Sequence, residues 1–90
     1  MLDIVLSNRF KKDLKLAHKR GYPLERLDAV VEKLASGQTL EPKYRDHDLT
    51  GNYAGFRECH IQPDWLLVYR IENEELMLFL SRTGTHSDLF

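Results

Sequence analysis

Trp65-Leu66-Leu67-Val68-Tyr69-Arg70-Ile71 holds six apolar residues in seven, set between Gln62-Pro63-Asp64 and Glu72-Asn73-Glu74. A strand with one wet face alternates apolar and polar side chains, so a run this continuous predicts a central strand covered on both faces. The flanking clusters are turn formers. Each leads to a further strand, over residues 56–61 upstream and 76–80 downstream, the latter running into Ser81-Arg82. Thr83-Gly84-Thr85 then bends the chain and leaves residues 86–90 as a short tail. Three strands joined by short turns make an antiparallel meander.

Working back from the meander, residues 38–52 have no consistent period and contain Pro42 and Gly51, which reads as a long ordered loop. Loops of this length in a small domain are often functional. Before it, Leu24, Leu27, Val31 and Leu34 keep helical spacing, with Pro23 suited to the first turn and Gly37 to the stop. An earlier helix over residues 8–20 takes Ser7 as N-cap and Gly21 as terminator, because glycine enters the left-handed conformation without a Cβ clash. Its buried stripe is Phe10, Leu14 and Ala17, and Arg9, Lys11, Lys12, Lys15 and Lys19 occupy the rest of its circumference. Residues 2–6 form a short strand. The expected order is β-α-α-β-β-β over residues 1–90. That is one α+β domain, with a two-helix hairpin packed on a small, mostly antiparallel sheet.

Ninety residues at 42% hydrophobic and 30% charged suit one globular domain with a single core. No apolar run approaches the roughly 18–20 residues needed to cross a bilayer. The first residues also lack the basic, apolar and small-residue regions of a signal peptide. The expectation is a cytoplasmic protein without a membrane partner. Cys59 is the single cysteine, so packing and not an internal disulfide holds the fold, and its apolar neighbours favour an inert buried thiol. The net charge of −1 conceals an asymmetry: residues 1–45 carry ten Lys/Arg against six Asp/Glu, and residues 46–90 three against eight. One basic and one acidic half imply a bipolar surface.

The residues capable of chemistry gather in the second half. His47 lies between Asp46 and Asp48, and nearby negative charge favours a protonated imidazole; the plainer reading is a solvated loop histidine. His60 ends a strand with Asp64 four residues on, a turn able to bring imidazole and carboxylate together, or else a surface His beside a turn-forming Asp. Arg82 leaves an apolar strand, where a charge needs a partner; Asp64 and Glu58 are the acids to consider. His86 follows the Gly84 bend. Arg82 and His86 both lie beyond the last apolar strand, so their removal is expected to cost the fold within about 1 kcal/mol.

Together these groups supply what cleavage of an RNA phosphodiester needs: a base for the 2′-hydroxyl, an acid for the leaving 5′-oxygen and a cation for the phosphate oxygens. Trp65 and Phe90 offer rings for stacking on splayed bases, although each also suits a packing role. His47, His60, His86 and Asp64 are ligand types for zinc. With no HExxH, no Cys pair and no short-spaced cluster, however, a metal site would rest on composition alone, so none is expected and no cofactor is implied.

The segments DHDLTG, CHIQPDWLLVY and RTGTHSDLF, taken together, resemble the YafQ-type branch of the RelE/ParE superfamily of bacterial toxins. The resemblance implies a toxin of a type II toxin–antitoxin system, an endoribonuclease that cuts translated mRNA in the ribosome without a metal. It implies a DinJ-like antitoxin as partner, with operator DNA bound only through their complex. Carried over by position, His47, His60, Asp64, Arg82 and His86 match the family's catalytic set. Trp65 and Phe90 match residues that position RNA. Among these, the resemblance favours Asp64 and His86 for proton transfer and Arg82 for stabilising the transition state. The near-neutral net charge departs from the usual basic character of such toxins, which turns attention to Lys12 and Lys15 on the first helix as contacts to RNA. Two further readings stay open: a ParE-like toxin that inhibits a topoisomerase without nuclease activity, and an inactive homologue that only binds an antitoxin.

Overall fold

The computed structural model describes all residues, Met1–Phe90. Strand β1 (Asp3–Leu6) is followed by helices α1 (Asn8–Lys19) and α2 (Leu24–Ala35). The chain then passes through a 3-10 turn at Pro42–Tyr44, strand β2 (His47–Asp48) and a second 3-10 turn at Gly51–Tyr53. Strands β3 (Arg57–Gln62), β4 (Trp65–Glu72) and β5 (Met77–Gly84) and helix α3 (His86–Leu89) complete it. The five strands form one sheet in the order β1-β5-β4-β3-β2, antiparallel except where β1 pairs with β5. The α+β class holds and every expected element is present, with β4 in the centre and β2 and α3 added to them.

The continuity of β4 follows from its two burdens. Trp65, Leu67 and Tyr69 pack with the inner faces of α1 and α2, represented by Phe10, Ala17, Leu27, Val30 and Leu34. Leu66 and Val68 point the other way and pack with Leu89, Leu49, Tyr53 and Phe56. Ser7 caps α1 as expected: its Oγ accepts from the Phe10 N–H at 2.9 Å and donates to the Ser81 carbonyl at 2.6 Å. Such a cap contributes about 1 kcal/mol. Gly21 takes a φ of 76°, in the left-handed region as expected. Pro23 sits one residue earlier than expected, at the N-cap of α2.

Three expectations need correction. The loop of residues 38–52 contains β2, whose two residues are too few to show a period. Strand β5 continues past Leu80 to Gly84, because pairing with β4 holds Arg82 against Val68 and Thr83 against Leu67 despite their polarity. The residues after Gly84 form no loose tail. They make one helical turn with a reciprocal cap, in which Asp88 N–H donates to Thr85 Oγ1 at 3.1 Å and Thr85 N–H to Asp88 Oδ2 at 2.9 Å. Arg20, at the C-cap of α1, holds Asp88 at 2.6 and 3.2 Å, and Leu89 is buried. No helix is long and apolar enough to cross a membrane.

Candidate active site

The register of the sheet assembles the site. Residues directly opposite one another in an antiparallel sheet project from the same face. His47 faces Glu58, Glu58 faces Val68, and Val68 faces Arg82, so these four form one row across β2, β3, β4 and β5. The next row on that face is His60, Leu66 and Gly84. Because Leu66 and Val68 pack away from α1 and α2, both rows lie on the sheet face opposite the helix pair. Gly84 then delivers the chain into α3, which begins at His86 and is capped by Phe90.

Glu58, considered from the sequence only as a partner for Arg82, has a different place. It is 5% exposed, and its Oε1 lies 3.6 Å from His47 Nε2 and 3.8 Å from His60 Nε2. One buried carboxylate thus faces two imidazoles, within range of strong Coulomb attraction when either is protonated. His47 Nδ1 is 2.7 Å from the Arg45 carbonyl and His60 Nδ1 3.3 Å from that of Pro63. A carbonyl only accepts, so each Nδ1 is the donor in its bond, and each Nε2 is turned toward Glu58.

Asp46 and Asp48 do not serve His47 as expected. Strand alternation turns them to the other side, where Arg57 donates to Asp46 at 3.0 and 3.3 Å and to Asp48 at 2.5 Å. Tyr69 Oη also donates to Asp46, at 2.5 Å. This latch orders the segment that presents His47. Burial, then the bond to Asp46, pushes the Tyr69 hydroxyl up from its ordinary range, so Tyr69 remains a neutral donor. Burial likewise pushes the Cys59 thiol up, in keeping with an inert cysteine.

Arg82 pairs with neither Asp64 nor Glu58. Its Nε and Nη2 donate to the two oxygens of Asp13 on α1, at 2.8 and 3.2 Å, and the Thr83 N–H joins them at 3.1 Å. The pairing of β1 with β5 stops at Leu80, leaving free backbone there, and Asp13 caps that edge. The bond to Asp13 raises the Arg82 pKa further. The result is a permanent cation held by one side of its fork.

His86 is exposed at the first position of α3, with its ring 5.1 Å from Phe90; Phe90 is half exposed and meets Tyr53 edge-on at 5.3 Å. Phe90 is therefore accessible from solvent. Trp65 is not. It is 1% exposed, with Nε1 donating to Thr83 Oγ1 at 2.8 Å and its ring 5.0 Å from Tyr22, so its role is in the core and the expected RNA contact is withdrawn. Asp64 is exposed in the β3–β4 turn and makes no bond with His60. Lys12 and Lys15 are exposed on α1, on either side of Asp13 in sequence. No three of the His, Cys, Asp and Glu side chains are arranged to hold a metal ion.

Residues 2–90 match the family model described as the bacterial toxin of type II toxin–antitoxin systems, YafQ. The chain belongs to the YafQ family. It is 38% identical over 89 residues to the mRNA interferase toxin YafQ of Escherichia coli K12, covering 98% of this chain and 95% of that protein. A metal-bound toxin from Helicobacter pylori is 53% identical with a TM-score of 0.94, and the whole of each chain is covered. YafQ in the E. coli DinJ–YafQ complex is 37% identical with a TM-score of 0.91, covering 100% of this chain and 99% of that one. The YafQ resemblance drawn from the three sequence segments is confirmed.

Proposed function

We propose that this YafQ-family toxin is an endoribonuclease that cuts mRNA during translation by acid–base chemistry on the sheet face opposite α1 and α2. The observation that carries the reading is the row His47–Glu58–Val68–Arg82, with His60 in the next row and His86 at its end. A base among the imidazoles, or Asp64, takes the proton from a 2′-hydroxyl. The freed O2′ attacks the adjacent phosphorus, the bond from phosphorus to O5′ breaks, and a second group gives O5′ its proton. The products are a 2′,3′-cyclic phosphate and a 5′-hydroxyl. Acid and base contribute about 10²–10⁴-fold, and Arg82 meets the charge on the non-bridging oxygens. Glu58 positions His47 and His60 without touching RNA. Phe90 stacks on a base, and Lys12 and Lys15 lie along an RNA surface. The 38%-identical relative is an mRNA interferase by name, which supports the activity. The DinJ complex of YafQ supports a DinJ-like antitoxin partner, through whose complex operator DNA is bound.

The test is single-turnover cleavage of a defined mRNA on programmed ribosomes and as free RNA, with magnesium in excess and a zinc chelator present. Cleavage on ribosomes leaving cyclic phosphate ends is expected, with little on free RNA because a chain of net charge −1 grips a polyanion weakly. Ends bearing a 5′-phosphate, or activity abolished by zinc chelation with ribosomes intact, would falsify the mechanism.

A further inference from the structure

A cleft of about 560 Å³ lies between α2, the 3-10 turn at Pro42–Tyr44 and the β3–β4 turn. Arg26, Lys43, Arg45 and His60 line it, and no acidic residue does. Neither Arg26 nor Arg45 has an ion-pair partner, and the one acid near Lys43, Glu41, is 4.0 Å away and bonded to Lys33 at 3.0 Å. Lys43 is steadied 5.2 Å over the Tyr44 ring. On a chain of net charge −1, three permanent cations around one hollow make a focused positive field.

The cleft continues from the reaction face. His60 belongs to both: its Nε2 faces Glu58 while its Nδ1 meets Pro63, another lining residue. Arg45 adds a second link. It stands at φ 50°, a left-handed conformation that glycine adopts without the roughly 1 kcal/mol penalty of a side chain. Its carbonyl holds His47, and Arg45 is also one of the residues that line the cleft.

We propose that this cleft binds the sugar-phosphate backbone of the single-stranded RNA substrate on one side of the scissile phosphate. The inference rests on the nuclease reading and extends it to a strand path: across the rows of the sheet, past His60 and into the cleft. Its cations set affinity and register, and sequence is read elsewhere. An acidic segment of a protein partner fits less well, because only three of the nine lining residues are hydrophobic and protein partners anchor through buried aromatic and aliphatic groups.

The experiment uses the full chain, with a seven-nucleotide RNA methylated at every 2′-oxygen so that the nucleophile is blocked. Amide shifts are followed by NMR through a titration at several salt concentrations, for the parent, Arg45→Gly and the Arg26→Ala/Lys43→Ala pair. Arg45→Gly suits the left-handed backbone and keeps the carbonyl to His47, so the fold persists. The expected result is shifts around Arg26, Lys43–Arg45 and Pro63 in the parent. The double variant should bind about tenfold more weakly and lose about 1.4 from its salt slope, at roughly 0.7 per phosphate contact on a single strand. Arg26→Lys/Lys43→Arg should restore most of the affinity. Shifts elsewhere with a silent cleft, or an unchanged salt slope, overturn the proposal. A cleft silent to RNA but filled by the antitoxin also overturns it. Cleavage on ribosomes, measured separately, distinguishes the two failures: a parent that cuts with a silent cleft refutes only the strand path. A parent that binds RNA in the cleft but does not cut leaves the site standing and refutes the nuclease reading.

Discussion

Replacing Asp13 by alanine isolates the contact that fixes Arg82. The change removes two charge-assisted hydrogen bonds to the guanidinium, at 2.8 and 3.2 Å, and one from the Thr83 N–H at 3.1 Å. Both side chains are 14% exposed, between a surface pair worth under about 1 kcal/mol and a buried pair whose breaking costs about 3–5 kcal/mol. The expected loss is therefore about 2–3 kcal/mol. For a chain of this size that lowers Tm by about 10–20 °C. Arg82→Ala should lose a similar amount, more than the 1 kcal/mol expected from the sequence. The double variant should be less destabilised than the sum of the two by about 1–2 kcal/mol, since the second change removes a partner already lost. Thermal unfolding of the four proteins gives this coupling, and cleavage on programmed ribosomes at 25 °C reads the freed guanidinium as a loss of about 10–100-fold. Asp13→Asn should keep part of the stability, because its amide oxygen still accepts from Thr83. A coupling below about 0.3 kcal/mol would refute the anchor, and full cleavage by Asp13→Ala would refute its link to chemistry.

His86→Ala should lose about two to four orders of magnitude in cleavage rate with a stability change within about 1 kcal/mol, since its ring is exposed; a parent-like rate in single-turnover assays removes it from the mechanism. Glu58→Gln keeps the shape but loses the charge facing both imidazoles. Cleavage should fall about 10–100-fold while Tm holds or rises, as a buried carboxylate is costly to desolvate, and unchanged kinetics would exclude a positioning role. A Cβ at Gly84 would come within 2.9 Å of Asp88 Oδ2 and 3.1 Å of its Cβ. Gly84→Ala should thus displace α3, visible as lost NMR contacts between His86 and Phe90 and as reduced cleavage. The Arg20 guanidinium, then the Thr85 N–H, hold the Asp88 carboxyl well below its usual range. A depressed carboxyl stabilises the fold above its unfolded pKa of about 3.9, and that contribution is lost as pH falls through the folded value. The Tm difference between the parent and Asp88→Asn should therefore be full at pH 6 and shrink below about pH 4; a difference independent of pH contradicts the clasp.

What could be read from the chain beforehand depended on whether the signal was local. The unbroken apolar run of β4 declared a strand covered twice, and Ser7 and Gly21 declared the two ends of α1 through hydrogen bonding and steric freedom within a few residues. Thr85 and Asp88 carried an equally local cap signal, three residues apart, which the bend at Gly84 obscured. Glu58 was not legible, because a lone acid in a strand resembles a solvent-facing residue until the register sets it between His47 and His60. The Asp13–Arg82 pair, 69 residues apart in sequence, likewise has no local trace. Trp65 and Phe90 were alike as aromatic residues near chemistry. Only packing separated the one that fills the core from the one that faces outward.

The parallel pairing of β1 with β5 has a consequence for when the protein becomes competent. Asp3 to Leu6 find their partners in Met77 to Leu80, and the Ser7 hydroxyl reaches across 74 residues to Ser81. Closing so long a loop has an entropic penalty that must be met before the contacts repay it. The first strand to be synthesised is thus among the last to be secured. The strands bearing Glu58, His60 and Arg82, and the turn that carries His86, all belong to the same late event. A growing chain can form α1 and α2 early, but the sheet face that bears Glu58, His60 and Arg82 stays incomplete until β5 has been made.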